Sequence, residues 1–187
     1  VYRSYIFNKL NFSEDTLTED MDFTFLLHRS GHNKMVFENK AVVDTMDPQN
    51  LVDFIKQLNR WYTGFWQVVK KHNVPWEGQM LDLEVCMLAI EGLYNGLLVI
   101  FFSLFAVNFL LIGHLGIFTI PLALDLLLFF LPSLIWSSVV DRDYKRILLI
   151  PHFYFLRFLS SLLFIKSYFY SFLKTEASHE WDSKRYA

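Results

Sequence analysis

Two short clusters in this 187-residue chain carry side chains able to do chemistry. The first is Thr18-Glu19-Asp20, a hydroxyl and two carboxylates at a loop-to-helix junction. The second is Gln57-x-x-Arg60-Trp61, in which an amide, a guanidinium and an indole share one side of a helix. Carboxylates exchange protons and balance charge, and a guanidinium clasps oxyanions. Each cluster also has a plain reading when met alone. An acidic pair at a helix N-terminus complements the helix dipole, and two polar residues beside Trp61 suit a helix at a membrane surface. Other chemistry finds no support. The six histidines show no metal spacing, no serine or histidine sits in a nucleophile elbow, and there is no glycine-rich phosphate loop. The single cysteine, Cys86, excludes an internal disulfide and a multi-cysteine zinc site and reads as a small buried hydrophobe.

The elements that position these clusters follow from periodicity and turn chemistry. Residues 1–12 read as a short helix or turn. Thr16 and Glu19 have capping-box spacing, which predicts a helix running to about Ser30 and stopped at Gly31, with His28 and Arg29 in its last turn. Lys34–Glu38 and Ala41–Thr45 are strand-like, with Glu38-Asn39-Lys40 as the turn between them. Asp47-Pro48 then opens a helix over about residues 49–72. Leu51, Phe54, Ile55, Leu58, Tyr62, Phe65, Trp66 and Val69 form its apolar stripe. Lys56, Asn59, Thr63, Gln67 and Lys70 lie roughly opposite and are expected to face water. Gln57, Arg60, Trp61 and Gly64 make a third face. The aromatic content and the Lys70-Lys71-His72 ending suit a membrane interface.

Composition divides the chain into two environments. It is 53% hydrophobic, above the roughly 45–50% of soluble domains. Residues 1–80 are mixed, whereas 93–173 are dominated by Leu, Phe and Ile. After a turn over Asn73–Leu83 come three apolar segments, about Leu93–Ile112, Ile117–Val140 (broken by Pro121 and Pro132) and Ile147–Ile165. Each is near the roughly 20 residues that cross a bilayer. Gly113-His114-Leu115-Gly116 predicts a hairpin, and the basic loop Asp141–Arg146 is expected in the cytosol. Asp125 and Arg157 lie inside apolar segments, where charge is costly, and read either as structural pairs or as the lining of a conduit. The net charge of −2 gives no bulk basicity to suggest nucleic acid. The chain opens on Val1 with no signal peptide ahead of its first periodic segment, and is expected to be part of a longer protein.

In this order, and ahead of membrane segments, the two clusters resemble the TED and QxxRW motifs of family-2 inverting glycosyltransferases. The nearest likeness is to the membrane-embedded, often processive synthases of hyaluronan, cellulose, chitin and poly-N-acetylglucosamine. Asp22–His28, Ala41-Val42-Val43 and Trp61-Tyr62-x-Gly64 are also similar, and Trp181-x-x-x-Arg185 is similar to a tryptophan-and-basic ending in such proteins. The resemblance covers residues 1–80 well and the apolar segments only in layout. It implies a mixed α/β remnant of a GT-A domain over 1–47, an interfacial QxxRW helix over 48–80, about three transmembrane helices over 81–173 and a polar tail over 174–187. The chain would thus be predominantly α.

The same resemblance implies roles. Asp20 would be the general base that takes the proton from an acceptor hydroxyl, with Glu19 orienting the site and Thr18 contributing to substrate binding. Gln57 and Arg60 would hold the donor pyrophosphate, and Trp61 would stack on the acceptor sugar. The expected partners are a nucleotide-sugar donor of the UDP type, a glycan or lipid-linked acceptor, and membrane lipid. The expected location is the plasma membrane, with the catalytic part cytosolic. One feature departs from the pattern. Such enzymes hold Mg²⁺ or Mn²⁺ through an Asp-x-Asp that has no counterpart before Thr18. Asp141-x-Asp143 has the letters in the wrong place, so no metal ligand is assigned in this chain, which is expected to be inactive by itself. Two alternatives stand beside this reading: a non-processive lipid glycosyltransferase, and a non-catalytic membrane scaffold or export subunit whose motif residues only pack and cap.

Overall fold

The computed structural model describes residues 6–7, 10–12, 14–32, 34, 36, 38, 40–43, 45–112, 123–124, 126–127, 131–140 and 142–173. The described residues are mostly helical, with no strand among them. The helices are α1 (Glu19–Arg29), α2 (Leu51–Lys71), α3 (Met80–Ile112), α4 (Leu131–Val140) and α5 (Ile150–Leu173), with a 3₁₀ turn over Tyr144–Leu149 before α5. They belong to two compact units, Val1–Glu91 with Leu163–Ala187, and Gly92–Leu162.

In the first unit, α1 starts at Glu19 with Thr18 as its N-cap, so the capping box expected from Thr16 does not form. Thr16 is instead buried, and its hydroxyl has no partner among the described atoms. The helix ends as expected at Gly31, whose φ of +79° suits a residue without a Cβ. Phe23, Phe25 and Leu27 are buried, with the Phe12 ring stacked on Phe23 at 4.4 Å. α2 starts at Leu51 because Asn50 caps it: the Asn50 carbonyl Oδ1 accepts from the Asp53 N–H at 2.9 Å. Pro48 therefore lies outside the first turn. The strand-like runs form no ladder at their described positions. Val36, Val42 and Val43 are strongly exposed, and a lone hairpin without a packed face is marginal in water.

The side of α2 expected to face water is where the C-terminal part of α5 packs. Thr63 is buried, its hydroxyl 3.4 Å from that of Ser167. The Lys70 ammonium donates to the Ser171 carbonyl at 3.2 Å, and the Lys166 ammonium to Asn59 Oδ1 at 3.3 Å. The Trp66 indole N–H reaches the Phe164 carbonyl at 3.3 Å, within a cluster of Phe164, Tyr168 and Phe172 rings. The buried Ser167 and Ser171 are small enough to let the two helices approach and polar enough to satisfy Thr63.

Helix α3 begins at Met80, three residues before the end of the expected turn, after a turn over His72–Glu77. Among the described residues its Met80–Phe105 stretch is the one helix long and apolar enough to cross a membrane. The 33 residues of α3 would extend about 50 Å, more than the roughly 30 Å hydrocarbon layer. In the second unit α4 packs against the 3₁₀ turn that precedes α5. Pro132 falls in the first turn of α4, where a missing N–H costs nothing. Arg157 is half-buried and engaged by other groups. The Gly113–Gly116 connection, Asp125, and the tail with Trp181 and Arg185 lie outside the described residues.

Candidate functional site

The two chemical clusters meet at Thr18 and Gly64. A Cβ built on Gly64 would stand 2.5 Å from Thr18 Cγ2, 2.7 Å from its Oγ1 and 3.0 Å from its Cβ. Only a bare Cα lets Thr18 lie on α2 here. The loop leading to Thr18 is fixed by a second contact, since the Leu17 N–H donates to Gln67 Oε1 at 2.9 Å. Gly64 shares its helix face with Gln57, Arg60 and Trp61. Along α2, Arg60 is one turn away, about 6 Å, and Gln57 two turns, about 10 Å. Thr18, the residue before α1, thus rests on α2 at Gly64.

These side chains differ in exposure. Asp20 is exposed. Among the described residues its Oδ1 accepts the next backbone N–H, that of Met21, at 2.8 Å, and its backbone carbonyl accepts the Thr24 hydroxyl at 2.8 Å. Glu19 is half-buried, and both carboxylates sit in the first turn of α1, where the dipole favours negative charge. Gln57 and Arg60 are half-buried, and Trp61 is 46% exposed, so much of the indole is open to a ligand. Thr18 Oγ1 is buried without a partner among the described atoms.

A buried ionic network, not foreseen from the sequence, holds α1 in place. Asp22 is fully buried. One of its carboxylate oxygens accepts from the Lys71 ammonium at 2.9 Å, and the other lies 2.6 Å from His72 Nε2. The His72 ring stacks on Phe25 at 4.8 Å. At the other end of α1 the Arg29 guanidinium makes a two-pronged pair with buried Asp82, at 2.7 and 2.9 Å, and donates to the His72 carbonyl at 3.0 Å. Asp82 also accepts the Gln79 N–H at 3.0 Å, capping α3. Burial alone would lower the pKa of Lys71. Its hydrogen bonds and charge contacts with Asp22 and then Asp15 outweigh that, and the pKa stands above the ordinary lysine value. The visible signal for this network was weak: Asp22 stood out only as part of the Asp22–His28 stretch, and His72 only as the end of an interfacial helix.

A carboxylate can accept a proton, a guanidinium with an amide can hold an oxyanion, and an open indole can cover a sugar ring. The sequence profile of glycosyl transferase family group 2 matches residues 2–172. This chain belongs to glycosyl transferase family group 2. A family-2 glycosyltransferase uses a nucleotide-sugar donor and an acceptor. The match runs through both clusters and on into α5. Comparison with curated proteins and with solved structures gave no match.

Proposed function

We propose that this chain carries the acceptor-side part of a membrane-bound, inverting and processive family-2 glycosyltransferase. The observation that supports the reading is the seating of Thr18 on Gly64, a residue on the same helix face as Gln57, Arg60 and Trp61. In this reading the Asp20 carboxylate takes the proton of the acceptor hydroxyl as its oxygen attacks the anomeric carbon of the donor. The bond from that carbon to the diphosphate breaks with inversion. Arg60 and Gln57 meet the charge on the departing nucleoside diphosphate. Trp61 holds the acceptor ring against its indole, and Glu19 keeps Asp20 oriented.

The remaining features fit around this centre. The Met80–Phe105 stretch would anchor the protein in a membrane, with residues 1–80 on the cytosolic side of the plasma membrane. Among the described residues no group of three His, Cys, Asp or Glu is placed to hold a metal ion. In keeping with the family resemblance, a Mg²⁺ or Mn²⁺ in the full protein would be held by an Asp-x-Asp on a GT-A donor-binding part, and no step above passes through it. The test is a transfer assay on the full protein in native membranes with radiolabelled UDP-glucose, UDP-N-acetylglucosamine and UDP-glucuronate. The expected product is a polymer from one donor. A single-sugar lipid would replace the processive reading, and a well-folded protein that transfers nothing would favour the scaffold.

A further inference from the structure

The mechanism above makes no use of Asp22, yet this is the most deeply buried carboxylate of α1, with 0% of its surface exposed. It lies one half-turn beyond Asp20 and points the opposite way, into the chain rather than out of it. A buried carboxylate is costly unless its lone pairs are taken up. Here Lys71 takes one oxygen at 2.9 Å and His72 lies 2.6 Å from the other, both from the last turn and C-cap of α2. Asp15, in the loop before α1, contacts the same Lys71 ammonium at 3.3 Å. Three points on the segment 15–22 are thus tied to one helix: Asp15 and Asp22 through Lys71, and Leu17 through Gln67. Rotating α1 about its axis would break the Asp22 contacts, and it would lift Thr18 from Gly64.

We propose that Asp22 is a positioning residue for glycosyl transfer: its carboxylate, held by Lys71 and His72, sets the rotation of α1 on α2 and so fixes the direction in which Asp20 reaches from the outer side of α1. The proposal rests on the reading of Asp20 as the base. A base displaced by even an ångström loses rate without losing donor affinity, because the pyrophosphate contacts are on α2 and not on α1.

The test uses the full protein in native membranes, with the three radiolabelled UDP-sugars named above. Asp22→Asn keeps the side-chain shape and should lower kcat roughly 10- to 100-fold, while KM for the donor stays within about twofold. Lys71→Met should act in the same direction, and the double variant should fall no further than the worse single one. Amide exchange over residues 17–22 should quicken in Asp22→Asn and stay unchanged over 163–173. Unchanged kcat in folded Asp22→Asn, or a loss confined to KM, overturns the proposal. If Asp22→Asn does not fold, Lys71→Met decides, since that side chain is 31% exposed; unchanged kcat there overturns it too. Full activity in Asp20→Asn would sink Asp20 as the base, and the exchange data would still judge Asp22: no change over 17–22 means that it does not seat α1.

Discussion

Thr18 occupies the space that any side chain at position 64 would need, with its Cγ2 only 2.5 Å from where a Cβ on Gly64 would stand. Residues 46 positions apart in sequence are thereby brought into contact, joining the start of α1 to α2.

Gly64→Ala tests that contact. Alanine gains about 1 kcal/mol of helix propensity over glycine. The added Cβ meets a stiff β-branched side chain, and overpacking costs about 1–3 kcal/mol. The clash should win, lowering thermal stability and transfer rate together. Adding Thr18→Ala, which removes Cγ2 and Oγ1, should restore part of the stability. A single variant as stable as the wild type would show that Thr18 does not rest on Gly64.

The Arg29–Asp82 pair should respond differently to single and double changes. Arg29→Met leaves Asp82, 1% exposed, as an uncompensated buried charge, a loss of about 3–5 kcal/mol. Arg29→Met with Asp82→Leu removes both charges and should be more stable than Arg29→Met alone. Thermal unfolding of the detergent-solubilised protein measures both. A double variant that is the less stable of the two would mean that the pair contributes through more than its own neutralisation.

Lys71 gives a signed pH dependence. Its pKa is raised in the folded protein above 10.5, so its contribution to stability is fully present below that value and is lost as pH rises through the raised folded pKa. The Tm difference between wild type and Lys71→Met should be constant from about pH 7 to about pH 10 and shrink above that range. A difference that grows with pH would contradict the Asp22–Lys71 contact.

Phe101→Arg tests the membrane placement of α3. Phe101 is 55% exposed, so little internal packing is lost. An arginine at the centre of a membrane helix costs about 2.5–3.5 kcal/mol relative to water on the insertion scale. The fraction of protein resisting alkaline carbonate extraction should drop. An unchanged fraction would mean that this stretch is not in lipid.

Local pattern made α1 and α2 legible, because capping residues and 3.6-residue periodicity act within one or two turns. The residual errors are also local: Thr18 holds the N-cap position of α1 and Asn50 caps α2, where Thr16 and Asp47-Pro48 had been expected to open them. What the sequence did not reveal depends on distant partners. Thr63 and Lys70 look solvated by periodicity, yet they meet Ser167 and Ser171, about a hundred residues away. Asp22 carries no local signal of burial, yet it is buried because Lys71 and His72 arrive from another helix. The candidate site residues were legible as types and spacing; the Thr18–Gly64 contact was not, because periodicity placed Gly64 on its face without a reason for its being glycine.

The most direct measurement is transfer of radiolabelled sugar by the full protein in native membranes, comparing wild type with Asp20→Asn at matched folded amounts. Asp20 is exposed at the start of α1, and this change removes its basicity with little effect on shape. The account predicts a loss of roughly 10²- to 10⁴-fold, the usual contribution of a general base. Equal transfer by both proteins would contradict it, because the proton of the acceptor hydroxyl would then be taken by some other group.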